Sequence, residues 1–494
     1  MMRVCLAMSF VAGTACADVV FEDRSDALVE HKYSGGWEHF VGGGVAVFDC
    51  NQDGLPDFFS AGGTNVAALF VNTGSFTFGR AETPQLTAVT GAYPIDVDAD
   101  GHTDLFVLRV GKNVLLKGKG NCRFEQDQNV IGGLVDTAWS TAFTAWWEKG
   151  EERPTLAIGN YVDRADEDGP FEACDDNEIL RPVATGYVSE RFSPGFCALS
   201  ILAAEDARGR KTLRLSNDRH YYVRAGYEQL WDIPDRRFLT EADGWPRVSL
   251  WGMGIASRDL NGDGRDEVML TSMGDQVMQL AQPDGTYAAA PFDIGTYAQR
   301  PHVGDDGRPS TGWHAEFGDV DNDGLVDLFI AKGNVDQMPG LATRDPNNLL
   351  LQHEDGRFKE VSVEAGVATM ARSRGAALAD FDADGRLDLI VVNRRAPLEL
   401  YRNVTPDAGN WLSVELSQKG GNRDAIGARI TVSTPDRTQS VQHVIGGGHA
   451  GGQLLPRHFG LGGASAAQVS VTWPDGSVSN ATLHANATHR IEKP

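Results

Sequence analysis

Five short segments of the chain repeat one spacing of acidic side chains. Each has an acid at position 1, Asp or Asn at position 3, Asp at position 5, Gly at position 6 and an acid at position 9, followed by an apolar run. We name them loop A (residues 49–57), loop B (96–104), loop C (259–267), loop D (319–327) and loop E (380–388). Oxygens at positions 1, 3, 5 and 9, together with the carbonyl at position 7, would converge on one point, because Gly permits the sharp turn.

This set of donors predicts one calcium ion in each loop, about five in all. Calcium accepts flexible oxygen coordination, whereas zinc and copper would favour His or Cys. For any single loop, the alternative is an Asx-type turn that needs no metal. The predicted ligands are Asp49, Asn51, Asp53, Leu55 and Asp57 in loop A; Asp96, Asp98, Asp100, His102 and Asp104 in loop B; Asp259, Asn261, Asp263, Arg265 and Glu267 in loop C; Asp319, Asp321, Asp323, Leu325 and Asp327 in loop D; and Asp380, Asp382, Asp384, Arg386 and Asp388 in loop E.

An EF-hand shares the first half of this pattern but is excluded by the second half. It requires a bidentate Glu at position 12 and a helix on either side of the loop. None of the five residues at position 12 is an acid: they are Ser60, Val107, Leu270, Ile330 and Val391. The apolar run after each loop favours a β-strand instead.

The spacing of the loops predicts a repeated β-sheet unit. Successive loops begin 47, 163, 60 and 61 residues apart, and the long interval is close to three repeats, so two further repeats lack most of their acids. Their loops are expected near residues 147–155 and 204–212. Short strands separated by turns at a fixed period are typical of four-stranded propeller blades. The sequence therefore predicts an all-β chain whose first part is a seven-bladed β-propeller.

The first and last blades are expected to share strands. Residues 21–25 resemble residues 358–362, the outer strand of the sixth repeat, although they precede the first repeat. The seventh repeat lacks an outer strand of its own after residue 402. We infer that the N-terminal strand completes the seventh blade and so hides an open sheet edge.

Residues 1–17 are predicted to be a signal peptide. Arg3 is the only charge before Asp18, residues 4–11 are mostly apolar, and Ala15 and Ala17 offer a cleavage site. A periplasmic or extracellular location would permit disulfides among the four remaining cysteines, Cys50, Cys122, Cys174 and Cys197. Three pairings are conceivable; proximity favours Cys174 with Cys197 and, by elimination, Cys50 with Cys122.

Charge and hydropathy exclude two classes of partner. The formal net charge of −24 would repel nucleic acid and anionic lipid. Past the predicted signal peptide, no apolar stretch reaches the ~18 residues of a transmembrane helix. We expect a monomer. No Ser-His-Asp set, paired catalytic acids or phosphate-binding glycine loop stands out in the sequence, so neither catalytic residues nor an organic cofactor site is predicted.

The loops, together with residues 317–324 (FGDVDNDG), resemble the FG-GAP and VCBS repeats of integrin alpha-chain propellers. The resemblance implies a calcium-binding, seven-bladed propeller over residues 18–405. Residues 410–416, 422–430, 446–448, 458–462 and 473–476 resemble the ASPIC/UnbV domain, and alternating apolar residues there predict a small β-sandwich or barrel over residues 409–494. A propeller followed by this module is the layout of the cartilage acidic protein family.

For that family the resemblance implies extracellular, calcium-dependent binding or adhesion. We therefore expect an exported scaffold that binds a protein or a carbohydrate ligand. Two other functions remain open at this point: a polysaccharide-active enzyme whose acids are hidden among the metal-binding carboxylates, and a structural factor of the cell envelope or its assembly. Turnover of an acidic polymer would favour the enzyme, and a constant protein partner would favour the structural factor.

Deletion of residues 19–24 tests the predicted ring closure. Without the N-terminal strand the seventh blade would have an open edge, so the whole ring should lose stability. We expect a lower melting temperature for the deletion variant, measured by differential scanning calorimetry. An unchanged melting temperature would show that the ring closes in some other way.

Overall fold

A computed structural model describes residues 18–127, 137–166, 173–218, 226–274, 276–297, 310–334 and 344–494. The predicted signal peptide, residues 1–17, lies outside the described residues. The fold is all-β: within these ranges strands form nearly every regular element, and the four 3₁₀ turns are Ser25–Ala27, Trp37–His39, Glu241–Asp243 and Phe292–Ile294. No helix within the described ranges is long and apolar enough to cross a membrane.

Seven antiparallel sheets form the blades of a propeller, which confirms the predicted fold class. After β1 (Phe21–Asp23), blades 1 to 3 consist of β2 (Val45–Phe48), β3 (Asp57–Ser60), β4 (Ala68–Asn72), β5 (Phe78–Ala81); β6 (Val89–Ile95), β7 (Asp104–Arg109), β8 (Val114–Gly118), β9 (Phe124–Asp127); and β10 (Ser140–Trp146), β11 (Thr155–Asn160), β12 (Asn177–Val183), β13 (Gly186–Phe192). Blades 4 and 5 consist of β14 (Ala198–Glu205), β15 (Lys211–Asn217), β16 (Gln229–Asp232), β17 (Arg237–Phe238); and β18 (Gly252–Arg258), β19 (Glu267–Ser272), β20 (Val277–Ala281), β21 (Tyr287–Ala289). Blades 6 and 7 consist of β22 (Gly312–Gly318), β23 (Asp327–Lys332), β24 (Asn348–Gln352), β25 (Phe358–Glu360); and β26 (Ser373–Ala379), β27 (Asp388–Asn393), β28 (Glu399–Asn403).

The position of each strand follows from its side chains. The first strand of a blade is rich in small residues, as in β26 (SRGAALA), because the innermost strands of the blades approach one another. The second strand is apolar and buried throughout, as in β27 (DLIVVN), because it packs against neighbouring blades on both faces. Each acidic loop joins these two strands, so all five loops lie on one face of the ring.

The N-terminal strand closes the ring as predicted. β1 pairs antiparallel with β28, with Phe21 opposite Asn403, and thereby becomes the outer strand of blade 7. The side chain of Phe21 is buried in the core between blades 6 and 7. Both predicted disulfides are also present: Cys50 is bonded to Cys122, and Cys174 to Cys197. The first links blade 1 to blade 2, and the second links blade 3 to the start of blade 4.

A small β-sandwich follows the ring. One of its sheets has the order β33-β29-β36 and the other has the order β31-β30-β34-β35, and an apolar core with Trp473 lies between them. The strands of the second part of the chain are β29 (Asn410–Ser417), β30 (Arg429–Ser433), β31 (Thr438–Gln442), β32 (Gln453–Leu454), β33 (Arg457–Gly462), β34 (Ala466–Thr472), β35 (Val478–His484) and β36 (Ala487–Glu492). We call residues 410–494 the C-terminal module.

One segment of this module enters the centre of the ring. This channel segment, residues 444–455, connects β31 to β33 and includes β32, which pairs in parallel with β2 as a fifth strand of blade 1. Isolated bridges join it to the first strands of blades 2, 3, 4 and 5. His449, in the middle of the segment, is fully buried and accepts a hydrogen bond from the amide of Gly42 at 3.2 Å. The sequence predicted a propeller followed by a module, but it did not predict this extensive contact between the two.

Glycines make this close contact possible. A Cβ atom at Gly44, which immediately precedes β2, or at Gly91, on β6, would lie 1.8 or 1.7 Å from the carbonyl oxygen of Ala450. Within the segment, Gly446, Gly447 and Gly448 have positive φ angles, which only glycine adopts readily. These three glycines therefore form a turn that passes through the channel.

The substitution Gly91→Ala tests whether the channel segment stabilises the ring. The added methyl group would collide with the backbone of Ala450, and overpacking of this kind costs about 1–3 kcal/mol. We expect a lower free energy of unfolding in urea. Gly79→Ala is the matched control, because Gly79 lies on an exposed part of β5 and its Cβ would meet no atom within 4 Å. Equal stabilities of the two variants would contradict the arrangement.

Candidate metal centres

The five acidic loops share one hydrogen-bonded frame. In every loop, the amide of the Gly at position 6 donates to the carboxylate at position 1, and the amide at position 7 donates to the carboxylate at position 5. The Gly N–O distances are 2.8 Å in loop A, 2.9 Å in loop B, 2.9 Å in loop C, 2.8 Å in loop D and 2.7 Å in loop E. The Gly φ angles lie between 82° and 90°. The same sequence pattern therefore produces the same turn five times.

The acid at position 9 fixes the loop to its blade. In loop E, Asp388 accepts one hydrogen bond from the amide of Phe381 and another from the amide of Asn403, both at 2.8 Å. Asp57 in loop A does the same with the amides of Cys50 and Asn72, again at 2.8 Å. Since position 9 is the first residue of the second strand, each of these carboxylates joins the loop to the second and third strands.

Three loops bring the predicted acidic ligands together most clearly. In loops B, D and E, carboxylate oxygens from positions 1, 3 and 9 lie within 4.8 Å of one another. Loops A and C have Asn at position 3, and its side-chain amide hydrogen-bonds to a loop acid: Asn51 to Asp53 at 2.8 Å, and Asn261 to Glu267 at 3.4 Å. Cys50, Asp57 and Cys122 are also close together, but the disulfide removes both cysteines as ligands.

Burial of these carboxylates raises their pKa values. Desolvation, followed by the negative charge of other acids in the same loop, raises the pKa to about 7 at Asp57, Asp104, Glu267 and Asp380. The same causes raise the pKa of Asp319 and Asp327 in loop D well above the ordinary value. Several negative charges therefore face one another with little water to screen them, an arrangement that a divalent cation would relieve.

Unpartnered oxygens point to the same conclusion. Oδ1 of Asp96, of Asp98 and of Asp382 is buried without a hydrogen-bond partner among the described residues. Positive side chains neutralise part of the remaining charge: Lys117 contacts Asp98 and Asp100 in loop B, and Arg402 contacts Asp382 at 2.6 Å in loop E. Free carboxylate oxygens at hard-ligand spacing fit calcium better than a softer metal.

The C-terminal module covers the loop face, which the sequence did not predict. Its residues contact loops B, C, D and E: Arg423 donates to the carbonyl of Gly101, Ser440 donates to Asp259 at 2.9 Å, His458 hydrogen-bonds to Asn322 at 2.7 Å, and Trp411 lies against Gly385. Blade 1, which carries loop A, pairs with β32. The sequence carries no local signal for this interface beyond the polar residues at 422–424 and His458, which lie in segments that resemble the ASPIC/UnbV domain.

The fold and its loops define a class: a seven-bladed propeller with repeated acidic turns, covered by a second β module. Family models agree with this description. The FG-GAP-like repeat matches residues 49–107, 259–330 and 319–391, and "ASPIC and UnbV" matches residues 418–494. The chain is thus an FG-GAP-repeat propeller with a C-terminal ASPIC/UnbV domain.

The chain is also similar in sequence to cartilage acidic proteins. The chain is 30% identical to human cartilage acidic protein 1 over 164 residues, which are 32% of the chain and 24% of that protein. It is 23% identical to the Xenopus tropicalis protein of the same name over 481 residues, which are 88% of the chain and 70% of that protein. The first of these matches thus spans about a quarter of the human protein's length.

A solved structure with a similar fold is the BP39L lectin from Burkholderia pseudomallei. The match has a TM-score of 0.50 at 10% identity and covers 75% of this chain and 97% of the lectin. At this identity the similarity concerns the fold alone, and it agrees with the propeller architecture.

The raised pKa values predict how the metal-free protein responds to pH. A carboxylate whose pKa is raised in the folded state stabilises the fold below its ordinary pKa, and this contribution is lost as pH rises through the folded value. We therefore expect the free energy of unfolding in EDTA to fall between pH 6.5 and 8.0, by up to about 0.8 kcal/mol for each carboxylate with a pKa near 7, and the melting temperature to fall with it. The range begins at 6.5 because burial lowers the pKa of His443, His449 and His458, and their titration would oppose the trend at lower pH.

The measurement is differential scanning fluorimetry at fixed ionic strength, repeated with calcium in place of EDTA. Calcium should flatten the dependence on pH, because a bound cation keeps these carboxylates ionised at every pH in the range. A melting temperature that rises with pH in EDTA would contradict the proposed burial of charge.

Proposed function

We propose that this protein is an exported, calcium-binding propeller that acts as a binding scaffold for a protein or glycan ligand. The observation that carries the proposal is the set of five loops with one hydrogen-bonded frame, whose carboxylates are partly desolvated. In the proposal, residues 1–17 are the signal peptide, residues 18–405 the propeller and residues 409–494 the module, and the chain is a monomer. Calcium has a structural role, because it would relieve charge repulsion at the contact between ring and module.

Several further observations support this role. Two disulfides are typical of proteins outside the reducing cytosol. The FG-GAP and ASPIC/UnbV matches support the same architecture as in cartilage acidic proteins. The similar propeller BP39L is named a lectin, which is a reason to include glycans among the ligands tested.

Calcium removal tests the metal part of the proposal. We expect about five calcium ions per chain by elemental analysis and a lower melting temperature after chelation. At a calcium concentration ten times the dissociation constant, each site would add about 1.4 kcal/mol of stability. Asp321→Ala removes a predicted ligand from loop D and should reduce the metal content by one ion. Asp355→Ala, in an exposed turn between β24 and β25, is the control and should leave the content unchanged.

Two results would contradict this proposal. One is the absence of bound metal together with a melting temperature that chelation does not alter. The other is an Asp321→Ala variant that folds and retains all of its calcium. For the ligand, a pull-down from the native envelope with and without calcium, analysed by mass spectrometry, measures whether binding depends on the metal.

A further inference from the structure

A cavity of about 860 Å³ lies between the ring and the C-terminal module. The ring contributes the ends of β22 and β26 and part of loop A, and the module contributes β29, β36 and residues 453–458. Gln52, Ala383 and Asn486 line its rim and are exposed, so the cavity opens to solvent. Its volume is within the range of small-molecule binding sites.

Two arginine side chains line this cavity, and no carboxylate of the described residues is in direct contact with either. Arg258 is 6% exposed; it donates to the carbonyl of His458 at 3.4 Å, and its Nε has no hydrogen-bond partner among the described residues. Arg457 donates to Nδ1 of His443 at 2.9 Å and to the carbonyl of Val444 at 2.8 Å. All three acceptors are neutral groups, because burial and the charge of Arg457 lower the pKa of His443.

The nearby acids do not fully compensate these charges. Asp259, Asp266 and Asp319 attract Arg258 at longer range, and all three lie in loops C and D. Asp259 and Asp319 are predicted calcium ligands there, so a bound ion would balance their charge. Burial, followed by the positive charge of Arg258, lowers the pKa of Arg457 to about 10. The guanidinium of Arg258 also lies over the ring of Phe459, 5.1 Å from its centroid. A buried charge without a counter-charge in contact is costly, so an anion that enters the cavity would be stabilised there.

The acids of the cavity wall already have partners of their own. Glu316 accepts hydrogen bonds from the amide of Leu378 at 3.1 Å and from the side chain of Gln453 at 2.6 Å. Asp424 lies 3.5 Å from Nε of Arg423, and Glu415 lies 3.5 Å from Arg490. Asp49 and Asp380 also line the cavity; they belong to loops A and E, where a bound calcium would balance their charge. Glu316 attracts Arg457 only at longer range. Among the described residues, Arg258 and Arg457 therefore remain without a carboxylate in direct contact, although the chain as a whole carries a net charge of −24.

The remaining lining groups suit a sugar. The rings of Trp411 and His458 are nearly parallel, with centroids 5.9 Å apart, and Trp411 is only partly buried. Hydroxyl groups of Ser413, Ser417 and Thr488 also line the cavity. Aromatic rings next to hydroxyl and charged groups can pack against the apolar face of a saccharide while hydrogen-bonding its substituents.

We propose that the cavity between ring and module binds a saccharide that carries a carboxylate, with Arg258 and Arg457 holding the carboxylate and Trp411 packing against the sugar ring. The inference rests on the proposed role as a binding scaffold and assigns the ligand class of that scaffold. Guanidinium groups suit this task because they can donate two parallel hydrogen bonds to one carboxylate.

Isothermal titration calorimetry with the full chain tests the inference. The probes are cellobiouronate, cellobiose, which differs by a neutral hydroxymethyl group in place of the carboxylate, and acetate, which supplies the carboxylate without the sugar. We expect cellobiouronate to bind at least about tenfold more tightly than either of the others, which corresponds to about 1.4 kcal/mol. Arg457→Gln and Trp411→Ala should each weaken its binding by a similar factor.

The matched control is Arg437→Gln. Arg437 lies in the same module and pairs with Glu354 of the ring at 2.7 Å, but it does not line the cavity, so the variant should bind cellobiouronate like the parent. Melting temperatures identify any variant that fails to fold; if Arg457→Gln fails, Trp411→Ala still provides the test.

Three outcomes would overturn the inference: no binding of cellobiouronate, equal binding of cellobiose, or equal binding of acetate. The last would show a site for a free carboxylate rather than for a saccharide. Failure of the cavity and failure of the scaffold are distinguishable. If calcium binds and stabilises the chain while cellobiouronate does not bind, only the ligand assignment is wrong.

Discussion

Repulsion among partly desolvated carboxylates is the constraint on which the rest of this structure depends. Each acidic loop places several acids around one point, and the backbone amides of its own turn offset only part of their charge. The C-terminal module then covers the same face and removes water from it. Such an arrangement is costly without a cation, because screening weakens as solvent is excluded. The fold is therefore expected to depend on divalent ions most strongly where the module is closest to the loops, as at Asp259 and Asn322.

The loops also link the strands of the blades to the C-terminal module. The acid at position 9 holds both the turn and the next strands of its blade, as Asp388 does through Phe381 and Asn403. In loops B, D and E, residues between positions 1 and 9 contact the module, as Gly101, Asn322 and Gly385 do. A change in the charge of such a loop would therefore alter its contacts with both the blade and the module.

Much of the ring could be predicted from the sequence, because its signals are local and repeated. The period of the loops predicted seven blades even though two of them have lost their acids, and residues 21–25 predicted the closure because they match the outer strand of another repeat. The position of the channel segment could not be predicted. The glycines at 446–448 indicate an unusual backbone, but only the structure shows that Ala450 lies against Gly44 and Gly91. Likewise, Arg258 and Arg457 carry no motif, and their shared environment arises from the contact between two distant parts of the chain.

Both contacts that complete the ring join residues far apart in sequence. β1 pairs with β28, with Phe21 opposite Asn403. The channel segment pairs with β2, which lies about 400 residues earlier in the sequence. Chains rich in such non-local pairings fold slowly, because the entropy cost of closing a large loop comes before the favourable contacts form. Neither contact can form until synthesis has passed Glu399, where β28 begins. Blades made early therefore spend that interval in an incomplete circle, with edges exposed to pairing with other chains.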